Sequence, residues 1–200
     1  MFLRMSVKII LFLVAQVCLG QINAPRLAEV EERVLDALLI IEPPDSGILA
    51  VVKAAGPPDL VKAAVLKILD ESYPVTQNKG MTLRRVIGVI GGLKFREAIP
   101  KIQLVLRDSA LYQPTRASAA RSLGRIDPEG SKQILIDAFD ACTPLEFEVR
   151  IAIAEALAET RDRTVLAKLE TWARGEPQGS FERRNFDRIV SAMRMKLQRN

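Results

Sequence analysis

The segments LRRVIGVIGGL (83–93), RASAARSLGRI (116–126) and RIAIAEALAET (150–160) repeat one pattern. Leu83, Arg116 and Arg150 stand in register, at offsets of 33 (116 − 83) and 34 (150 − 116) residues. The register continues downstream through Ile90, Leu123 and Leu157, through Ile102, Leu135 and Leu169, and through Leu106, Phe139 and Ala173. Apolar positions at helical spacing under a fixed period in the low thirties mark a helical repeat. Each unit is a helix pair that cannot bury its apolar face alone and must stack on its neighbours. Composition agrees: 48% of the residues are hydrophobic and only 5% aromatic, so the core is built from Ala, Val, Ile and Leu, which suit closely packed helices. The expected fold class is all-α.

Breaker residues divide the chain into elements. A first helix is expected over 26–41, with Leu27, Val30, Val34, Ala37, Leu38 and Ile41 on one face and Pro43-Pro44 as its stop. Four helix pairs follow: 45–55 with 59–71, 83–93 with 96–108, 115–126 with 131–141, and 147–160 with 163–174. Asp59 is placed to cap the third helix, and residues 72–81 form the longest connection. Ser180 is placed to cap a closing helix, 181–198, whose Phe186, Ile189, Val190, Met193 and Leu197 share one side.

The stretches RASAARSLGRIDPEG and VRIAIAEALAETRDRTVLAKLETW resemble the HEAT-repeat family, and more closely the short bacterial HEAT-like units also found in phycobilisome lyases. The matching residues are Arg116, Ala119, Ala120, Leu123, Gly124 and Asp127, and Arg150, Ala152, Ala154, Ala156, Leu157 and Asp162. The unit at 83–108 departs from the pattern, with Phe95 where the turn Asp is expected. The resemblance implies a right-handed α-solenoid of HEAT-like helix pairs whose second helices line the concave, partner-binding side. Small residues at Gly91, Gly124 and Ala158 would let the two helices of a unit approach at the turn.

The first twenty residues have a different character. Arg4 and Lys8 precede an apolar run from Ile9 to Val17, and Cys18-Leu19-Gly20 offers small residues at a cleavage site. That is the layout of a signal peptide (1–20) ahead of a helical domain (21–200), in an exported, periplasmic or secreted protein. The run is too short for an ordinary membrane span. Cleavage would lower the net charge from +5 to +3 (5 − 2), too small by itself to argue for nucleic acid as the partner. It would also leave Cys142 alone, either as a small side chain near a helix end or as a site of intermolecular pairing.

Histidine is absent, which removes the commonest general base and metal ligand. No zinc-binding cysteine pairs and no phosphate-loop lysine occur, and Gly88 to Gly92 read as packing glycines. The expectation is a non-enzyme without cofactor or metal. Surface residues carry the remaining signal. With 102 and 106 and their equivalents buried, Lys101, Leu104 and Arg107 point outward from one second helix. Ile134, Asp137 and Asp140 follow on the next, and Lys168, Thr171 and Arg174 on the third. Trp172 beside this column is read either as core or as a binding anchor. The closing helix adds Arg183, Arg184 and Arg188, read either as an anion-seeking patch or as a solvated cap. These residues outline a scaffold that binds another protein of the cell envelope. Two alternatives follow from the resemblances: a phycobilin-lyase-type enzyme, and a nucleic-acid binder of the HEAT-like glycosylase type.

Overall fold

Nine positions that recur at the 33- and 34-residue offsets form the axis of the fold. Ile90, Leu123, Leu157, Ile102, Leu135, Leu169, Leu106, Phe139 and Ala173 are all buried. The computed structural model describes residues 26–39, 45–74 and 80–199. Among the described residues there are ten α-helices, a single 3-10 turn and no strand, so the chain is all-α. The expected signal segment, 1–20, and Ile41 lie outside them. Among them no helix is long and apolar enough to cross a membrane.

The helices are α1 (Leu27–Leu39), α2 (Asp45–Ala54), α3 (Pro58–Ser72), α4 (Gly80–Leu93), α5 (Ile99–Arg107), α6 (Gln113–Ile126), α7 (Pro128–Ala141), α8 (Phe147–Leu157), α9 (Arg163–Gly175) and α10 (Phe181–Gln198). Their order matches the helix pairs read from the sequence, with shifts at the ends. α4 starts three residues earlier than expected (83 − 80), and the second helix of that unit opens with a 3-10 turn at Arg96–Ala98 before α5 begins. Pro58 and Pro114 lie in the first turns of α3 and α6, where a missing N–H costs nothing. Asp59 sits in the first turn of α3 rather than capping it. Asp127, Asp162 and Ser180 do cap, accepting from the amides of Gly130, Thr164 and Arg183. Leu27 is exposed instead of lying on the buried face of α1.

Packing runs between units more than within them. α4 packs on α6, and α6 on α8, more extensively than any other pairs. α5, α7 and α9 in turn pack on the helix that opens the following unit, α6, α8 and α10 respectively. The small residues explain the row of first helices. A Cβ built on Gly124 would stand 2.6 Å from Ala156 Cβ, and one on Gly91 would stand 2.5 Å from Ser122 Oγ. Both are closer than side chains can approach. The glycines therefore admit the first helix of the next unit, not the second helix of their own unit as the repeat pattern suggested. Hydroxyls strengthen the seam, with Ser118 Oγ donating to the Arg84 carbonyl at 3.1 Å and Ser122 Oγ to the Ile87 carbonyl at 2.9 Å.

One apolar cluster runs from Val30 in α1 to Met193 in α10. Leu157 lies within it at the C-terminal end of α8 and is 1% exposed. Burying such a side chain contributes about 1.5–3 kcal/mol, and a carboxylate there would add an unpaired buried charge. Leu157→Asp is expected to lower the melting temperature by on the order of 10 °C; an unchanged melt would show that this position does not hold the stack together.

Candidate functional site

The residues named as outward on the second helices are open to solvent to different degrees. Leu104, Arg107, Asp137, Thr171 and Arg174 are exposed, and Lys101 and Lys168 are half-buried. The two lysines of this face are each paired with an acid. Lys101 Nζ lies 3.0 Å from Asp70 on α3, and Lys168 Nζ 3.2 Å from Asp140 on α7. Lys101 and Lys168 are equivalent by the repeat, and each reaches an acid near the end of the preceding second helix. Asp137 accepts from Gln133 at 2.7 Å, while Thr171 donates to the Ala167 carbonyl and accepts from Arg174. Leu104 is the exposed apolar residue of the set.

Trp172 belongs to the packing. Its ring stacks on Phe139 at a centroid distance of 3.5 Å, Lys168 lies over it, and Phe139 meets Phe186 edge-on. The closing helix is partly neutralised as well. Arg183 pairs with Asp187 along the helix at 3.0 Å, Arg194 with Glu170 at 2.7 Å, and Lys196 with Glu159 at 2.8 Å. Arg184 donates to the Gly179 carbonyl. Arg188 is exposed and approaches Glu155 only to 3.8 Å.

The repeat arginines act inside the fold. Arg116 is 6% exposed; its Nε donates to the Leu106 carbonyl at 2.9 Å, and its guanidinium pairs with Glu146 in the loop before α8. Arg150, its equivalent, pairs with Glu176 in the loop before α10 and lies 4.9 Å from the Phe139 ring centroid. Phe139 is itself the equivalent of Leu106. Each arginine thus ties the preceding second helix to the loop that opens the next unit. A third arginine, Arg85, donates from α4 to the Leu38 carbonyl at the end of α1. Asp162 plays a related part at the turn before α9, where the neighbouring Lys132 and then Thr164 hold its carboxyl well below the usual carboxylate range. Cys142 caps the end of α7, half-buried and unpaired, and burial pushes its thiol up.

A basic groove lies on the opposite side, along the first helices, where the sequence had suggested only packing glycines. It encloses about 450 Å3 between α2, α4 and α6. The repeat register explains it. Gly88 and Gly92 on α4 are the equivalents of Arg121 and Arg125 on α6, and of Glu155 on α8 and Glu159 in the turn after it. Gly88 leaves space on α4, arginine borders it on α6, and the acids stand one repeat further on. A Cβ on Gly88 would come no closer than 3.8 Å to Ser118 Oγ, so this glycine opens the groove and is not required for close packing. A second depression of about 470 Å3 continues toward α8 and α10, sharing Arg84, Pro114 and Arg121 with the first. Arg188 lines it. Searching for the arginine that follows each glycine by one repeat would have revealed the groove in the sequence.

Comparison with protein families, with characterised proteins and with solved structures gives no significant match.

The Arg116–Glu146 pair has a measurable consequence. The Thr143 amide, at 2.7 Å, and then Arg116 hold the Glu146 carboxyl below its ordinary value of 4.5, against the opposing effect of burial. A carboxyl with a depressed folded-state pKa stabilises the fold above its unfolded value, and that stability is lost as pH falls through the folded value. Glu146→Gln is expected to cost about 2 kcal/mol at pH 7, in line with a charge-assisted hydrogen bond. Its melting temperature should converge on that of the wild type as pH falls from 5 toward 3. Parallel melting curves across that range would refute the assignment.

Proposed function

We propose that this chain is a non-catalytic protein-binding scaffold: an exported HEAT-like, right-handed α-solenoid that presents long faces to a partner in the cell envelope. The observation that carries the reading is the repetition of inter-unit contacts at the sequence period. Gly91 receives Ser122 as Gly124 receives Ala156, and Arg116 is used as Arg150 is. A stack built from like contacts grows in one direction and leaves faces far longer than a single helix pair offers. Such faces suit docking of another protein, a warrant that comes from architecture and not from a chemical site.

The two rows are spaced differently, which supports a curved form. First helices touch backbone to backbone through Gly91 and Gly124, whereas second helices are bridged by long side chains such as Lys101 to Asp70 and Lys168 to Asp140. A stack that is tighter on one side bends toward that side. In this reading the first helices line the concave side, in place of the second helices that the family resemblance implied.

A photo-crosslinking amino acid placed at Leu104, at Arg107 and at Arg125 in the native host tests the proposal, with intact-mass analysis of the fractionated product. The expected result is a discrete protein adduct from at least one position and a mature chain beginning near Gln21. Folded protein that yields no protein adduct from any of the three would contradict the scaffold reading. A full-length cytoplasmic product would contradict export.

A further inference from the structure

We infer that the groove along the first helices is a docking site for an acidic, extended segment of a protein partner, an inference that rests on the scaffold reading above and assigns its binding face. No carboxylate lines the groove between α2, α4 and α6, yet four arginines do. Two of them are engaged elsewhere. Arg121 Nε is 2.7 Å from Glu155, and Arg85 donates to the Leu38 carbonyl. Arg84 and Arg125 are exposed, and among the described residues neither guanidinium has a carboxylate or carbonyl partner. Two unpaired guanidiniums in an acid-free, partly enclosed groove are suited to carboxylates, which they bind bidentately.

The surroundings set the rest of the ligand's character. At one end of the groove Ile48, Leu49 and the exposed Met81 offer an apolar wall. At the other, beyond the shared Arg84 and Arg121, Phe147 meets Phe181 edge-on at 6.1 Å, and Phe181 is exposed. The path crosses α2, α4, α6, α8 and α10. At interaxial spacings of roughly 8–10 Å it is about 30–40 Å long, matching roughly 9–12 residues of extended chain. Carboxylates would sit centrally at Arg84 and Arg125, with apolar side chains toward each end. Glu148 and Glu155 line the second depression, so a uniform polyanion such as a nucleic acid would meet repulsion along that stretch. A peptide of mixed character would not.

The lysines of the second-helix face differ from these two arginines, because Lys101 and Lys168 already hold acids. That contrast sets the experiment. A fluorescein-labelled peptide of about 12 residues, built from repeated Glu-Leu-Gly-Glu and blocked at both ends, is titrated with the purified chain and followed by anisotropy. A counterpart with Gln for every Glu and a labelled oligothymidylate serve as comparisons. The acidic peptide is expected to bind at least tenfold more tightly than its Gln counterpart and more tightly than the oligothymidylate. Arg84→Gln combined with Arg125→Gln should weaken it at least tenfold with an unchanged melting curve, since neither side chain has a partner to lose. Gly88→Glu, which places an acid in the groove at a position where a Cβ meets no clash, should do the same. Lys101→Gln with Lys168→Gln should leave binding unaltered. Equal affinity for the two peptides, tighter binding of the oligothymidylate, or an unaffected Arg84/Arg125 variant would each overturn the assignment. Loss of binding only in the Lys101/Lys168 variant would also overturn the groove, while leaving the scaffold reading in place.

Discussion

Backbone contact between successive first helices is the constraint on which the rest of the structure depends. At Gly124 the neighbouring helix stands so close that a single added Cβ would lie 2.7 Å from the Ala156 Cα. Gly91 is in the same situation against Ser122, 2.9 Å from its Cα. Close approach lets small side chains fill the seam and brings Ser122 within reach of the Ile87 carbonyl. It also fixes where everything else falls. With the first helices in contact, Leu123 and Leu157 point into the space between units, and the second helices lie far enough apart to be joined by lysines and aspartates.

The arginines divide into two kinds according to that geometry. Arg116 and Arg150 turn inward at the start of α6 and α8, where each finds a carboxylate in the following loop, with the Leu106 carbonyl beside Arg116 and the Phe139 ring beside Arg150. A buried guanidinium is tolerable only with such partners, so the loops at Glu146 and Glu176 are as much a part of the repeat as the helices. Arg84 and Arg125 turn outward into the groove opened at Gly88. The same residue type thus secures the stack on one side and charges its surface on the other.

Much of this was legible in the sequence. The nine register positions named buried sites on both helices of three units, and the turn residues Asp127, Asp162 and Ser180 marked true caps. Those signals are local, or repeat along the chain, and so survive without knowledge of the fold. The pairing across helices was not legible in the same way. Reading along α4, Gly88, Gly91 and Gly92 look alike; in three dimensions Gly91 faces the next helix, Gly92 faces the Leu49 side chain of α2, and Gly88 faces the groove. Lys101 and Lys168 read as outward charges because the acids that neutralise them, Asp70 and Asp140, sit at different steps of the repeat. The N-terminal third followed the pattern least. There α1 and α3 pack on each other and α2 joins the row of first helices, an arrangement set by packing partners that no single helix face reveals.

The most direct measurement is a comparison of thermal unfolding for Gly124→Ala and Gly175→Ala. Both replace a helical glycine with alanine, which by helix propensity alone stabilises by about 1 kcal/mol. A Cβ at Gly175 meets nothing within 4 Å, whereas one at Gly124 would collide with the Ala156 backbone. Backbone contact between first helices predicts that Gly175→Ala is neutral or stabilising, and that Gly124→Ala melts at least 5 °C below the wild type, roughly 2 kcal/mol. Equal melting temperatures for the two variants would mean that the first helices are not held in contact at Gly124, and the account of the stack would fail with it.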